Sequence, residues 1–125
     1  RAAELIQGYN VRGSGLDAPM AALSGGNQQK VVVARALSSQ PRLVVAGQPT
    51  RGLDIGAAAE VRRRLVEVAQ RGGSVIVTSA DLDELCDLCH RIVVLYAGRV
   101  AGQLDRNAFD TGRVARMMTV GRDSL

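Results

Sequence analysis

With 125 residues, 46% of them hydrophobic and 22% charged, and a net charge of +4, the chain has the composition of one globular domain rather than of a disordered or fibrous segment. Apolar runs such as residues 31–33 and 92–96 fall far short of the roughly 18 residues a membrane helix needs, and no secretory leader is expected. The basic residues are almost all arginine, with Lys30 the lone lysine, and they are scattered rather than blocked, so no nucleic-acid partner is expected.

In chain order, residues 1–7 have a helical pattern ended by Gly8; starting at Arg1 rather than Met, in what reads as the middle of a helix, the chain is expected to be a piece of something longer. Residues 9–22, carrying Gly13, Gly15, Asp17 and Pro19, read as a loop. Ser24 is a good helix cap, and residues 28–38 place Val31, Val32, Ala34 and Leu37 at helical spacing before Ser38, Ser39 and Pro41 stop the run. Residues 43–46 are a short, fully apolar strand. Residues 55–71 form an amphipathic helix, with Ala58, Val61, Leu65, Val68 and Ala69 on one face and Arg62, Arg63 and Glu67 on the other, ended by Gly72 and Gly73. A buried strand over 75–78, a short helix over 81–89 and a strand over 92–96 follow; Ala97-Gly98 then turns into a final strand over 99–104, and one more helix is expected near 113–118.

Tyr9, Tyr96 and Phe109 are the only aromatics, so the core must be built from Val, Leu, Ile and Ala, which suits strands buried on both faces between helices. Strands alternating with helices of this length imply an α/β layered domain with a mainly parallel sheet. Ligands of such sheets sit at the carboxyl ends of the strands, here Gly47-Gln48 and Ser79-Ala80.

Three motifs fail on their context. GSGLDA (residues 13–18) fits the dinucleotide fingerprint, but no strand precedes it and Pro19 stands where a helix should start. Cys86, Cys89 and His90 spell the haem-attachment pattern C-x-x-C-H; the plainer reading places Leu82, Leu85, Cys86 and Cys89 on the inner face of a helix, with neither haem nor metal. GGNQQK (residues 25–30) ends in lysine as a P-loop does, but lacks the spacing, and no other stretch is a P-loop.

LSGGNQQK (residues 23–30) does offer a serine cap and two glycines that expose backbone N–H groups at the positive end of a helix, the physics of an anion site. This stretch resembles the signature motif of ATP-binding cassette (ABC) ATPases. The order that follows is similar to that family too: an apolar strand, Q-P-T-R-G-L-D, a helix, a strand ending in Ser-Ala-Asp-Leu-Asp-Glu, then H-R-I-V-V-L-Y-x-G-R. The resemblance covers about residues 9–104 and implies a P-loop NTPase-like fold, present in part.

In that family the strand after the signature helix normally ends in Asp-Glu, which serves magnesium and the attacking water. The resemblance puts Gly47 and Gln48 at those positions and Ala80 at the switch histidine, so all three catalytic positions are replaced. A glycine holds no cation shell, and an amide orients water but cannot take its proton. The same resemblance implies that Ser24, Gly25, Gly26, Asn27 and Gln28 bind ATP held by a partner nucleotide-binding domain, that Mg²⁺ comes with that nucleotide, and that Arg51, Gly52, Leu53 and Asp54 form the D-loop crossing to the partner. Plainer alternatives stay open: a tight helix start at Gly25 and Gly26, a surface pair between Arg51 and Asp54, and a Gln48 that binds nucleotide without turnover or fills space.

The R-G-L-D-I-G-A stretch (residues 51–57) and the Gln48 form look like the second cassette of tandem ATPase subunits of simple-sugar and nucleoside importers. That branch implies transmembrane permease partners and a peripheral place on the cytoplasmic side of the bacterial membrane. The expected division is the end of a helical subdomain with a connector (1–22), an ATPase core fragment (23–104) and a C-terminal extension (105–125). Two functions follow: a transport ATPase component, or a non-hydrolysing nucleotide-sensing module that only gates its partner.

Overall fold

The computed structural model describes residues 1–122; the last three residues of the expected C-terminal extension lie outside the described residues. The chain forms two compact units, Arg1–Thr78 and the residues from Ser79 onward.

The first unit runs α1 (Ala2–Gly8), α2 (Gly25–Leu37), β1 (Leu43–Gly47), α3 (Ile55–Gln70) and β2 (Ser74–Thr78). A 3₁₀ turn, Met20–Ala22, punctuates the connector before α2. Helix α2 starts three residues before the expected position, because the Ser24 hydroxyl caps it and both glycines sit in its first turn. Helix α3 starts where Asp54 accepts a hydrogen bond from the Ala57 N–H. Of the expected inner face, Ala58, Val61, Leu65 and Val68 are buried and Ala69 is only half-buried, while Ala57, one turn before Val61, is buried as well. Burying each of the larger side chains contributes on the order of 1.5–3 kcal/mol.

Strands β1 and β2 pair in parallel, from Leu43 opposite Ser74 to Gly47 opposite Thr78, so their carboxyl ends share one edge. Here the structure corrects the sequence reading. These strands are not buried on both faces: Leu43, Val45 and Ile76 are 57%, 68% and 53% exposed, while the alternate residues face inward. A strand exposes its side chains to opposite faces in turn, and within this unit helices cover only one of them.

The second unit contains α4 (Leu82–Leu88), β3 (Arg91–Tyr96), β4 (Arg99–Asp105) and α5 (Thr111–Val120). The β3–β4 pair is an antiparallel hairpin rather than an addition to a parallel sheet. Its two-residue turn has Ala97 at φ 47° and Gly98 at φ 75°, both positive as a hairpin turn of matching twist requires. Helix α5 is capped by Asp110, ends at Gly121 with φ 75°, and buries Val114 and Met117 almost completely. Gly102 of β4 lies directly under the Met117 sulfur, where a Cβ would overlap it.

Candidate functional site

The signature stretch stands at the start of α2. Ser24 Oγ accepts from the Asn27 backbone N–H at 3.3 Å and from Asn27 Nδ2 at 2.9 Å. Ser24 and Gly25 are exposed. A Cβ built on Gly25 would meet nothing within 4 Å, and one on Gly26 would only touch Leu53 at 3.7 Å. Neither glycine has a positive φ. Packing within the chain therefore explains neither glycine; what the pair provides is open, donor-rich backbone at the positive end of a helix.

The other signature side chains turn inward. Asn27 Oδ1 accepts from the Arg12 N–H at 2.9 Å, and Gln28 Nε2 donates to the Leu23 carbonyl at 3.0 Å. Lys30 Nζ donates to the Asn10 carbonyl at 3.0 Å, fastening the connector from the other side.

The expected D-loop lies beside this stretch. Gln29 Nε2 donates to the carbonyl of buried Pro49 at 2.9 Å, and Leu53 is the neighbour of Gly26. Arg51 and Gly52 are exposed, and Gly52 is left-handed at φ 74°. Among the described residues no ion pair joins Arg51 to Asp54, whose carboxylate is engaged in capping α3.

At the end of β1, Gly47 faces Thr78, and a Cβ on it would sit 3.7 Å from Thr78 Oγ1, an ordinary contact. A side chain would fit there, so packing does not require the glycine. Gln48 adopts a left-handed φ of 48°, while its N–H donates to the Thr78 carbonyl at 2.8 Å. That conformation costs a non-glycine residue about 1–2 kcal/mol, and such outliers gather at functional positions. No carboxylate stands at this strand end, and no group of three or more His, Cys, Asp or Glu among the described residues is arranged to hold a metal. Glycine and an amide at the end of β1 do not fit Mg²⁺, which takes carboxylate oxygens.

Ala80 belongs to the second unit and is exposed, just before Asp81, the cap of α4. Beyond it, Ser79 Oγ donates at 2.9 Å to Glu84, a carboxylate that is 3% exposed. Sequence reading missed this buried acid; its one signal is the spacing from cap to third helical residue, the capping-box interval. Also missed was the clasp of Arg64 over the Tyr9 ring at 4.4 Å, with its Nη2 donating to the Gly8 carbonyl at 3.0 Å. Burial pushes the Tyr9 phenol above its usual range, with nearby Arg64 opposing.

Cys86 and Cys89 are free thiols, both half-buried, and His90 is exposed. Burial, reinforced by Cys86 and Glu84, pushes the Cys89 thiol up. The carbonyls of Asp87 and Cys89 accept from the Arg106 guanidinium at the end of α4.

No family model matches the chain. It is 40% identical to the ribose import ATP-binding protein RbsA 2 of Rhizobium meliloti over 116 residues, which is 93% of this chain and 23% of that protein. It is 42% identical to the nucleoside import ATP-binding protein NupA of Lactococcus lactis over 101 residues, 81% of this chain and 20% of that one. Among solved structures, a dimeric ATP-binding cassette in a post-hydrolysis state, bound to ADP and Pi, superposes with a TM-score of 0.74 at 28% identity, over 86% of this chain and 46% of that one. The chain belongs with the ATP-binding cassettes. Its fold is a partial cassette, and it spans about a quarter or less of the length of these curated relatives. The ATP-binding subunit of an ABC transporter, 23% identical, shares the fold with a TM-score of 0.75 over 92% of this chain and 51% of that one.

Proposed function

We propose that this chain is part of the ATP-binding subunit of an importer for simple sugars or nucleosides, and that it lends its signature to ATP held by a second cassette. The observation that carries the reading is the bare start of α2: Ser24 and Gly25 are exposed, and a Cβ on Gly25 meets only open space. A double glycine with no packing or conformational reason within its own chain fits a backbone that something outside must approach closely. The donors there, the Ser24 hydroxyl and the N–H groups of the first helical turn, suit a terminal phosphate.

The chain's own site is a different matter. With Gly47, Gln48 and Ala80 in place of two acids and a histidine, it offers no proton acceptor to an attacking water and no anchor for a cation. Turnover therefore takes place at the partner's nucleotide, with Mg²⁺ held there, and Arg51, Gly52, Leu53 and Asp54 approach that partner as the D-loop. The Rhizobium relative is about twice as long as the single solved cassette that this chain half covers, which supports a tandem arrangement with this chain in the second cassette. Permease subunits would be the membrane partners, and the cytoplasmic face the place of work. The described residues contain no helix long and apolar enough to cross a membrane.

The same Gly47, Gln48 and Ala80 favour a second reading, a nucleotide-sensing module whose closure only gates its partner. Turnover by the full-length subunit, assembled with its membrane partners, separates the two. Ser24→Arg is expected to abolish turnover by filling the phosphate approach, whereas Gln48→Ala leaves it near normal. Loss of turnover with Gln48→Ala would overturn the division of labour, and normal turnover with Ser24→Arg would leave the gating module.

A further inference from the structure

We infer that Asn27 is a positioning residue that fixes the Ser24 hydroxyl as an outward hydrogen-bond donor, an inference that rests on the composite-site reading above. The backbone N–H of Arg12 can only donate, so the atom of Asn27 that meets it at 2.9 Å must be the amide oxygen. The amide is thereby pinned, and its NH₂ group faces Ser24 Oγ at 2.9 Å. An NH₂ group also only donates, as does the Asn27 backbone N–H at 3.3 Å. Both lone pairs of the serine oxygen are taken, and its own proton is left to point away from the chain.

A free serine hydroxyl rotates and presents either a lone pair or a proton. This one, with its acceptor side occupied twice, presents a proton to whatever approaches the start of α2. Selection of an anion there rests on the hydroxyl as well as on the helix dipole, and Asn27 achieves it without touching the nucleotide. The connector takes part, because Arg12 precedes the signature by more than ten residues and its N–H sets the orientation of the amide.

The test is a double-mutant cycle on ATP turnover by the full-length subunit with its membrane partners, using Ser24→Ala, Asn27→Ala and the double variant. Asn27→Ala is expected to lower turnover roughly fivefold, the worth of about one oriented hydrogen bond, and to have no further effect once Ser24 is alanine. Equal fold-losses from Asn27→Ala in both backgrounds would overturn the inference, since a merely structural asparagine acts whether or not the hydroxyl is present. If Ser24→Ala alone leaves turnover unchanged, the composite-site reading itself falls. Asn27→Asp guards against misfolding: the carboxylate still accepts from the Arg12 N–H but turns the serine proton inward. It is expected to lose turnover with an unchanged thermal midpoint, and retention of full turnover would overturn the inference.

Discussion

Glu60 receives hydrogen bonds from two guanidiniums on the exposed flank of α3, Arg63 at 2.7 Å and Arg64 at 2.9 Å, while Arg63 also bonds Glu67. The Arg63 hydrogen bond, ahead of the opposing effect of burial, holds the Glu60 carboxyl below its ordinary 4.5. A carboxyl whose value is lower in the folded than in the unfolded chain stabilises the fold fully above its ordinary value, and this contribution is lost as pH falls through the depressed one. Carboxyl-carbon NMR should find the Glu60 midpoint below 4.5, and Arg63→Ala should move it upward; a midpoint at or above 4.5 before mutation would contradict the geometry. Cys89 makes the opposite case. Its half-buried thiol resists ionisation, and only a thiolate reacts readily, so at neutral pH an alkylating reagent should modify it more slowly than a free cysteine peptide.

Among the elements, α2 and α3 carry the first unit, and each has a residue whose loss can be measured. Leu65 is 3% exposed on the inner face of α3, and Leu65→Ala should lower unfolding stability by about 2–5 kcal/mol in chemical denaturation. Gln29→Ala cuts the tie from α2 to the Pro49 carbonyl, and should cost the fold about 1 kcal/mol. Much of this level was legible in advance, because α3 shows one apolar face at helical spacing and Ser24 is a cap in the sequence as in the structure. Strand burial was not legible. LVVAG is apolar at every position, so its periodicity carries no information about which face is covered; that depends on whether a helix packs on each side. The fate of Asn27 was hidden for a related reason, since its partner Arg12 reaches it only through the fold of the connector.

At the scale of the molecule, the proposed signature and D-loop residues and the end of β1 fall in one unit, while Ala80 falls in the other. The family resemblance was readable from motif order alone, because a serine-capped double glycine, a Pro-Thr turn and a Gly-Leu-Asp follow one another at these separations. No stretch of the 125 residues has the spacing G-x-x-x-x-G-K-[ST], and the proposed function accordingly gives this chain no backbone cradle for the inner phosphates. Calorimetry on the 125-residue chain should therefore show no saturable micromolar ATP binding, and clear binding in that range would mean that a cradle exists elsewhere in the chain.

The bare side of β1 and β2 has a consequence for handling. Leu43, Val45 and Ile76 present a greasy surface to water, on a two-stranded ribbon whose outer edges pair with no strand among the described residues. Such edges recruit further strands from other molecules. Synthesised alone, the 125-residue chain should be a client for chaperones and should cloud on concentration, and a short stretch of partner polypeptide laid over that ribbon would do more for its shelf life than any change of buffer.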